Sequence, residues 1–277
     1  MDARLRLRGQ HSSSLTAGEP PPRRGRLAVR HLPRMLRRPK LNPLSIVGHV
    51  VRGLGLPYED GLLSRHNRDF LEDPDFIRAY ARGIEASGDL GWRWRVHIGL
   101  WAASTAVRLP GDFVECGVNR GFLSTAIMEH LDWNRLGKQF WLLDTFEGID
   151  LSQLEGDELA AARERNERMD LAGADSVRAW FSQWQNVNVI EGSVPATLPL
   201  VQADEIAYLH LDMNSSAPEV AALDYFWERL VPGAVVLFDD YGYRGYEAQR
   251  HALGDLARRR DMPIASLPTG QGLLIRA

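Results

Sequence analysis

A single cysteine, Cys116, stands in a chain of 277 residues. That excludes an intramolecular disulfide and any metal site built from several thiolates, and it is compatible with a reducing cytoplasm. No stretch approaches the 18 apolar residues that a membrane-spanning helix needs. Phosphate-binding signatures are missing too. The glycine turn ECGVNRG, residues 115–121, is not a G-x-G-x-x-G fingerprint, and no G-K-[ST] follows a glycine loop anywhere. Internal repeats are also absent.

Acidic charge is scarce at one end. Residues 1–40 hold ten arginines and Lys40 against Asp2 and Glu19, a net of +9. The whole chain carries −3, so the remainder carries −12. The tail contains SSS and PPP and few large apolar residues, so it reads as a disordered, solvated extension. It has no continuous apolar stretch behind its charges, which makes it a poor signal peptide and points to a cytoplasmic protein. A basic tail can touch nucleic acid or anionic lipid, but a solvated extension is the expected reading, and nucleic acid is not an expected partner.

From about residue 41 the composition becomes globular. LSIVGHVVRGLGL reads as a short helix or docking segment, and two helical stretches follow, DPDFIRAYARGI and WRWRVHIGLWAASTAV, the second stopping at Leu109-Pro110-Gly111. Residues 41–110 are therefore expected to form a helical cap region and 111–277 a second domain. In the latter, strands and helices alternate. DFVECGV, QFWLLDTF, VNVIEGS, IAYLHLDM and GAVVLFDDYG read as strands, with amphipathic stretches between them. IASLPTG and QGLLIRA read as a closing hairpin. Alternating β and α with apolar strands predicts a mostly parallel sheet with helices on both faces, and such sheets bind ligands beyond the carboxyl ends of their strands.

Those ends are all polar. They carry Glu115 and Gly117, then Asp144, then Glu191-Gly192-Ser193, then Asp212, then Asp239-Asp240. Five together point to a site. Asp144 stands where an acid can accept hydrogen bonds from a ribose diol, although an N-cap or Asx turn would use it equally well. Asp239 and Asp240 raise a separate question. Two unscreened carboxylates about 4 Å apart repel by roughly 4 kcal/mol at an effective dielectric near 20. Either water solvates them or a cation sits between them.

FVECGVNRG, LLDTFEG, HLDMN and VVLFDDYG, in that order, resemble the macrocin O-methyltransferase family over roughly residues 60–277. The resemblance implies a Rossmann-like class I methyltransferase fold, S-adenosylmethionine as cofactor, Mg²⁺ or another divalent cation, and a hydroxylated small-molecule acceptor, a sugar or natural-product intermediate. Relatives imply a homo-oligomer. By the same resemblance Glu115, Gly117 and Asn119 fall in the loop that holds the methionine half of the cofactor. Asp144 matches the ribose-binding acid, and Ser193 falls where the adenine is bordered. Apart from the resemblance, the aromatic Phe146 can flank the cofactor or acceptor, although ordinary packing would use it as well. Asp212, Asp239 and Asp240 match the three metal carboxylates, with Asp212 also near the cofactor.

The sequence departs from the family after Asp212, where DMNSSAPE replaces the usual D-G-D-x-Y-E-S-T. Only oxygen donors are on offer, which suits magnesium. A neutral hydroxyl is a poor nucleophile, so a base is needed, and Asp212 or His210 can serve. His210 shares a strand face with Asp212, although a buried histidine bonded to backbone would look the same. Two other readings stay open: an NAD(P)-dependent oxidoreductase, and a non-catalytic binding protein on the same fold.

Overall fold

The computed structural model describes residues 58–277 apart from Asp60 and Arg65. The basic tail expected at 1–40 and the segment LSIVGHVVRGLGL lie outside the described residues. A two-residue hairpin, β1 (Tyr58–Glu59) and β2 (Leu62–Leu63), comes first.

Two helices follow, α1 (Pro74–Ser87) and α2 (Arg93–Ala106). Helix α1 starts as its sequence dictates. Pro74 takes the first turn, Asp73 accepts the Asp75 N–H at 2.9 Å, and Gly88 closes the far end with φ +82°. The buried side of α1 lies on α3 (Phe122–His130), and α2 packs on two strands of the main sheet, Ile206–Leu211 and Leu230–Phe238. A Cβ on Gly83 would stand 2.7 Å from the Phe122 ring, so α1 and α3 approach as closely as they do only because that residue has no side chain.

Strand β3 (Asp112–Cys116) opens the main sheet, and β4 (Phe140–Asp144), β5 (Val187–Glu191), β6 (Ile206–Leu211) and β7 (Leu230–Phe238) complete its parallel part. Helices α4 (Gly156–Asn166) and α5 (Ala174–Phe181) separate β4 from β5. Helix α6 (Ser216–Phe226) joins β6 to β7, and α7 (Glu247–Arg259) follows β7. The expected hairpin is present: β9 (Gly272–Ile275) runs antiparallel to β7, and β8 (Ala265–Ser266) antiparallel to β9. The sheet order is β5-β4-β3-β6-β7-β9-β8.

Every residue of β6 is buried, as expected of a central strand covered on both sides. The chain moves from β3 outward to β5, then returns to β6 and moves the other way. Right-handed crossovers in opposite directions place α3 and α5 on one face and α6 on the other. The Trp180 indole of α5 donates to Thr125 Oγ1 of α3 at 2.9 Å, and α6 packs on α7. The strand order reverses between β3 and β6, so a crevice is expected at the carboxyl ends of these two strands.

Candidate active site

Strand register decides which side chains meet at that crevice. Glu115 on β3 pairs with His210 on β6, and His210 pairs with Leu237 on β7. Side chains alternate along a strand, so Glu115, His210, Asp212 and Asp239 share one face while Asp240 begins on the other. The contacts follow. His210 Nδ1 lies 2.8 Å from Glu115 Oε1, and His210 Nε2 lies 3.8 Å from Asp239 Oδ1. Ser124 Oγ donates to the other oxygen of Glu115. Ligand atoms of His210, Asp212 and Asp239 all fall within 4.8 Å of one another. Asp240 is not in that group, although its carboxylate is close enough to act on Asp212.

The face of the sheet that carries this row is the one α2 covers, and α2 supplies Arg95. Its guanidinium pairs with Asp239 Oδ2 in a contact where both side chains are nearly buried. The guanidinium carbon also sits 4.8 Å from the Trp92 ring centroid and 4.7 Å from that of Tyr243. Sequence reasoning did not single out Arg95. It is one of three polar residues in WRWRVHIG, and nothing in that pattern names a partner 144 residues away.

Protonation follows from these neighbours. Burial alone would lower the His210 pKa, but Asp239 and Glu115 outweigh it and raise it to about 10, so the ring is an imidazolium at neutral pH. Burial also pushes Asp239 upward, yet Arg95 and His210 prevail and hold it below its ordinary value. Asp212 is pushed well up by desolvation and by the charges of Asp239 and Asp240. Asp240 is pushed to about 7 by burial and then by Asp239. Behind them, fully buried Glu219 accepts the Met213 N–H at 2.9 Å and a bond from Gln249, with its pKa raised to about 8 by burial and Asp240.

Two adjoining cavities open at the crevice, about 400 and about 290 Å³. They share Trp92, Arg95, Gly117, Asn119, Asp212 and Asp239. Asp144, Ser193 and Asp240 line the larger one, and Glu115 and His210 the smaller. Volumes of this size suit a small organic ligand.

Phe146 is the exception among the residues expected here. Its ring is buried in the main core and lines neither cavity. The reason is local: φ of +55° turns the chain, so only the backbone N–H of Phe146 reaches the site, donating to Asp144 Oδ1 at 2.6 Å.

Asp144 itself is a clamp. Its Oδ2 accepts the N–H groups of Val118 at 2.6 Å and Asn119 at 2.7 Å, which ties the glycine loop after β3 to the end of β4. Gly117 lies in that loop with φ +93°, and a Cβ there would stand 2.0 Å from the Asp212 carbonyl oxygen. Across the larger cavity, Ser193 Oγ donates to Asp150 Oδ2 at 2.5 Å, and Gln153 Nε2 reaches Ser193 Oγ at 2.8 Å. The unusual DMNSSAPE segment is held from two sides. Glu158 of α4 accepts from Ser216 N and Oγ at 2.6 and 2.8 Å, and Tyr246 donates to Asn214 Oδ1 at 2.7 Å. Asn214 Nδ2 in turn donates to Asp212 Oδ1 at 3.1 Å.

The donor set fits a hard divalent cation. When ionised, Glu115, Asp212, Asp239 and Asp240 carry four negative charges against two positive ones on Arg95 and His210. One dication would neutralise the excess. Asp240 Oδ2 is buried without a hydrogen-bond partner, as an oxygen awaiting a ligand would be.

With this geometry established, likeness to known proteins becomes informative. A family model for macrocin-O-methyltransferases (TylF) matches residues 101–264. The chain belongs to the macrocin-O-methyltransferase family. It is similar to the 8-demethyl-8-(2,3-dimethoxy-alpha-L-rhamnosyl)-tetracenomycin-C 4'-O-methyltransferase of Streptomyces olivaceus. That match is 30% identical over 182 residues, 61% of this chain and 66% of that protein. A second relative, the mycinamicin III 3''-O-methyltransferase of Micromonospora griseorubida, is 26% identical over 144 residues, 48% of this chain and 56% of that protein. The matched region thus spans roughly half to two thirds of these curated family members.

Among solved structures, the O-methyltransferase NovP superposes with a TM-score of 0.60 at 19% identity, over 84% of this chain and 98% of that one. The calicheamicin methyltransferase CalS11 gives 0.51 at 16% identity, over 76% and 98%. At such identities the likeness is one of fold, and it agrees with the class I methyltransferase architecture expected from the family's motifs.

Proposed function

We propose that the protein is an S-adenosylmethionine-dependent O-methyltransferase that methylates a hydroxyl of a small molecule, a sugar or natural-product intermediate, with a divalent cation bound by Asp212, Asp239 and Asp240. The observation that carries the reading is the crowd of buried carboxylates at the switch point of a sheet whose chain belongs to an O-methyltransferase family. Mg²⁺ is the proposed ion because the acidic ligands are all oxygen donors.

The residues divide the work. Glu115, Gly117 and Asn119 would hold the methionine half of the donor, Asp144 the ribose, and Ser193 the adenine edge. The missing side chain of Gly117 lets its loop close on the Asp212 carbonyl, and Asp144 fixes that loop. Trp92 and Arg95 extend the cavity walls from the helical cap region, 41–110, onto the proposed methyltransferase domain, 111–277. In an in-line displacement, the acceptor oxygen forms the new bond to the methyl carbon, the carbon–sulfur bond of the sulfonium breaks, and the hydroxyl proton must leave. Asp212 is the better base. His210 Nδ1 is taken up by Glu115 at 2.8 Å, whereas Asp212 lines both cavities. A bound divalent cation supplies positive charge that lowers the pKa of a nearby hydroxyl. Tyr243, Tyr246 and Asn214 line the larger cavity and would border the acceptor. Self-association and a cytoplasmic location complete the proposal.

Calorimetric titration with S-adenosylhomocysteine tests it, alongside methyl-transfer assays on candidate glycosides before and after EDTA. Binding of S-adenosylhomocysteine and EDTA-sensitive transfer are expected. Affinity for NAD with none for S-adenosylhomocysteine would overturn the cofactor, and full activity after EDTA would overturn the metal.

A further inference from the structure

We propose that Arg95 is an internal counter-cation for Asp239 that a divalent ion has to displace, so that ion affinity is set by an exchange of two cations on one carboxylate. The inference rests on the metal reading above and concerns a residue outside the acidic set.

Asp239 is only 3% exposed, and both of its oxygens are engaged. Oδ2 receives the Arg95 guanidinium. Oδ1 receives Gln271 Nε2 at 3.2 Å and faces His210 Nε2 at 3.8 Å. Asp240 differs, since its Oδ2 has no hydrogen-bond partner. An ion drawn to Asp212 and Asp239 therefore meets a like charge, that of Arg95, already seated on one of the two carboxylates. A dication approaching Oδ2 is repelled by the guanidinium, strongly so in a poorly solvated site, and it binds more weakly for as long as Arg95 stays seated there.

Arg95 has somewhere to go. Its head lies between the rings of Trp92 and Tyr243, and it lines both cavities. Releasing Asp239 leaves the cation–π contacts in place. The same pair explains how Asp239 stays ionised while buried without an ion. A carboxylate stripped of water needs a partner, and Arg95 is that partner.

The test compares wild type, Arg95→Met and Arg95→Lys, titrated with Mn²⁺ alone and followed by the electron-paramagnetic-resonance signal of the free ion. Arg95→Met keeps much of the apolar stem and removes the charge, so it is expected to bind Mn²⁺ at least about tenfold tighter, about 1.4 kcal/mol. Arg95→Lys keeps the charge and should stay near wild type. Equal or weaker binding by Arg95→Met overturns the exchange while leaving the metal reading intact. No binding by any of the three overturns both.

Because Arg95→Met strips a buried carboxylate of its partner and can fail to fold, the wild-type protein provides a second measurement. Its Arg95 Nε–Hε nuclear-magnetic-resonance signal, identified by its absence in Arg95→Lys, should move as Mg²⁺ is added. A signal unmoved at saturating Mg²⁺ overturns the proposal.

Discussion

Replacing Asp144 with alanine tests whether the site is held from within. The carboxylate is half-buried and receives three backbone donors, Val118 at 2.6 Å, Asn119 at 2.7 Å and Phe146 at 2.6 Å. Hydrogen bonds to a charged group contribute about 1.5–3 kcal/mol each. They do not add fully here, because the three share one carboxylate and water can reach part of it. A net loss of about 3 kcal/mol is therefore expected for Asp144→Ala. In a protein of this size each kcal/mol moves the melting temperature by about 2–4 °C, so the midpoint should fall by about 6–12 °C. Asp144→Asn should fall nearly as far, because its NH₂ group would face backbone N–H donors. The assay is thermal unfolding by circular dichroism, with S-adenosylhomocysteine affinity measured in parallel. A midpoint within about 2 °C of wild type would refute the clamp. Lost affinity with an unchanged midpoint would mean that Asp144 acts on the ligand alone.

Two further substitutions separate shape from charge. Gly117→Ala would put a Cβ 2.0 Å from the Asp212 carbonyl oxygen at φ +93°. The backbone conformation alone costs about 1–2 kcal/mol, and the clash adds to it, so urea unfolding should shift to lower midpoint and transfer should fail; a wild-type midpoint would contradict the close approach. Asp240→Asn removes one of several crowded, buried acids without changing its shape. The metal-free protein should be as stable as wild type, or more so by about 1 kcal/mol, while transfer is lost. A destabilised Asp240→Asn would show that this carboxylate is paired in the fold rather than crowded.

The strands were legible because each is an apolar run that ends on an acid or a glycine. IAYLHLDM became β6, and the terminal hairpin became β8 and β9. Asp212 and Asp239 could be placed together because adjacent apolar runs with a helix between them make parallel neighbours. What stayed hidden depends on pairs far apart in sequence or on turns. The hold of Glu158 on Ser216 crosses 58 residues, and the contact of Arg95 with Asp239 crosses 144. The Phe146 ring was expected beside the cofactor, and only its left-handed backbone reveals that it turns into the core. His210 could be put on the right face by period two, but its proton depends on Glu115, a strand away.

The helices that precede Gly111 do more than cover the sheet. A fragment beginning at Gly111 would keep Asp212, Asp239, Asp240 and every parallel strand, yet it would strand Asp239 in a dry interior with half of its charge compensation gone. Breaking one side of such a pair typically destabilises by about 3–5 kcal/mol. Minimal versions of this protein, or chimaeras that exchange its leading helices with those of a relative, must therefore carry a guanidinium at the same place or redesign the aspartate it serves.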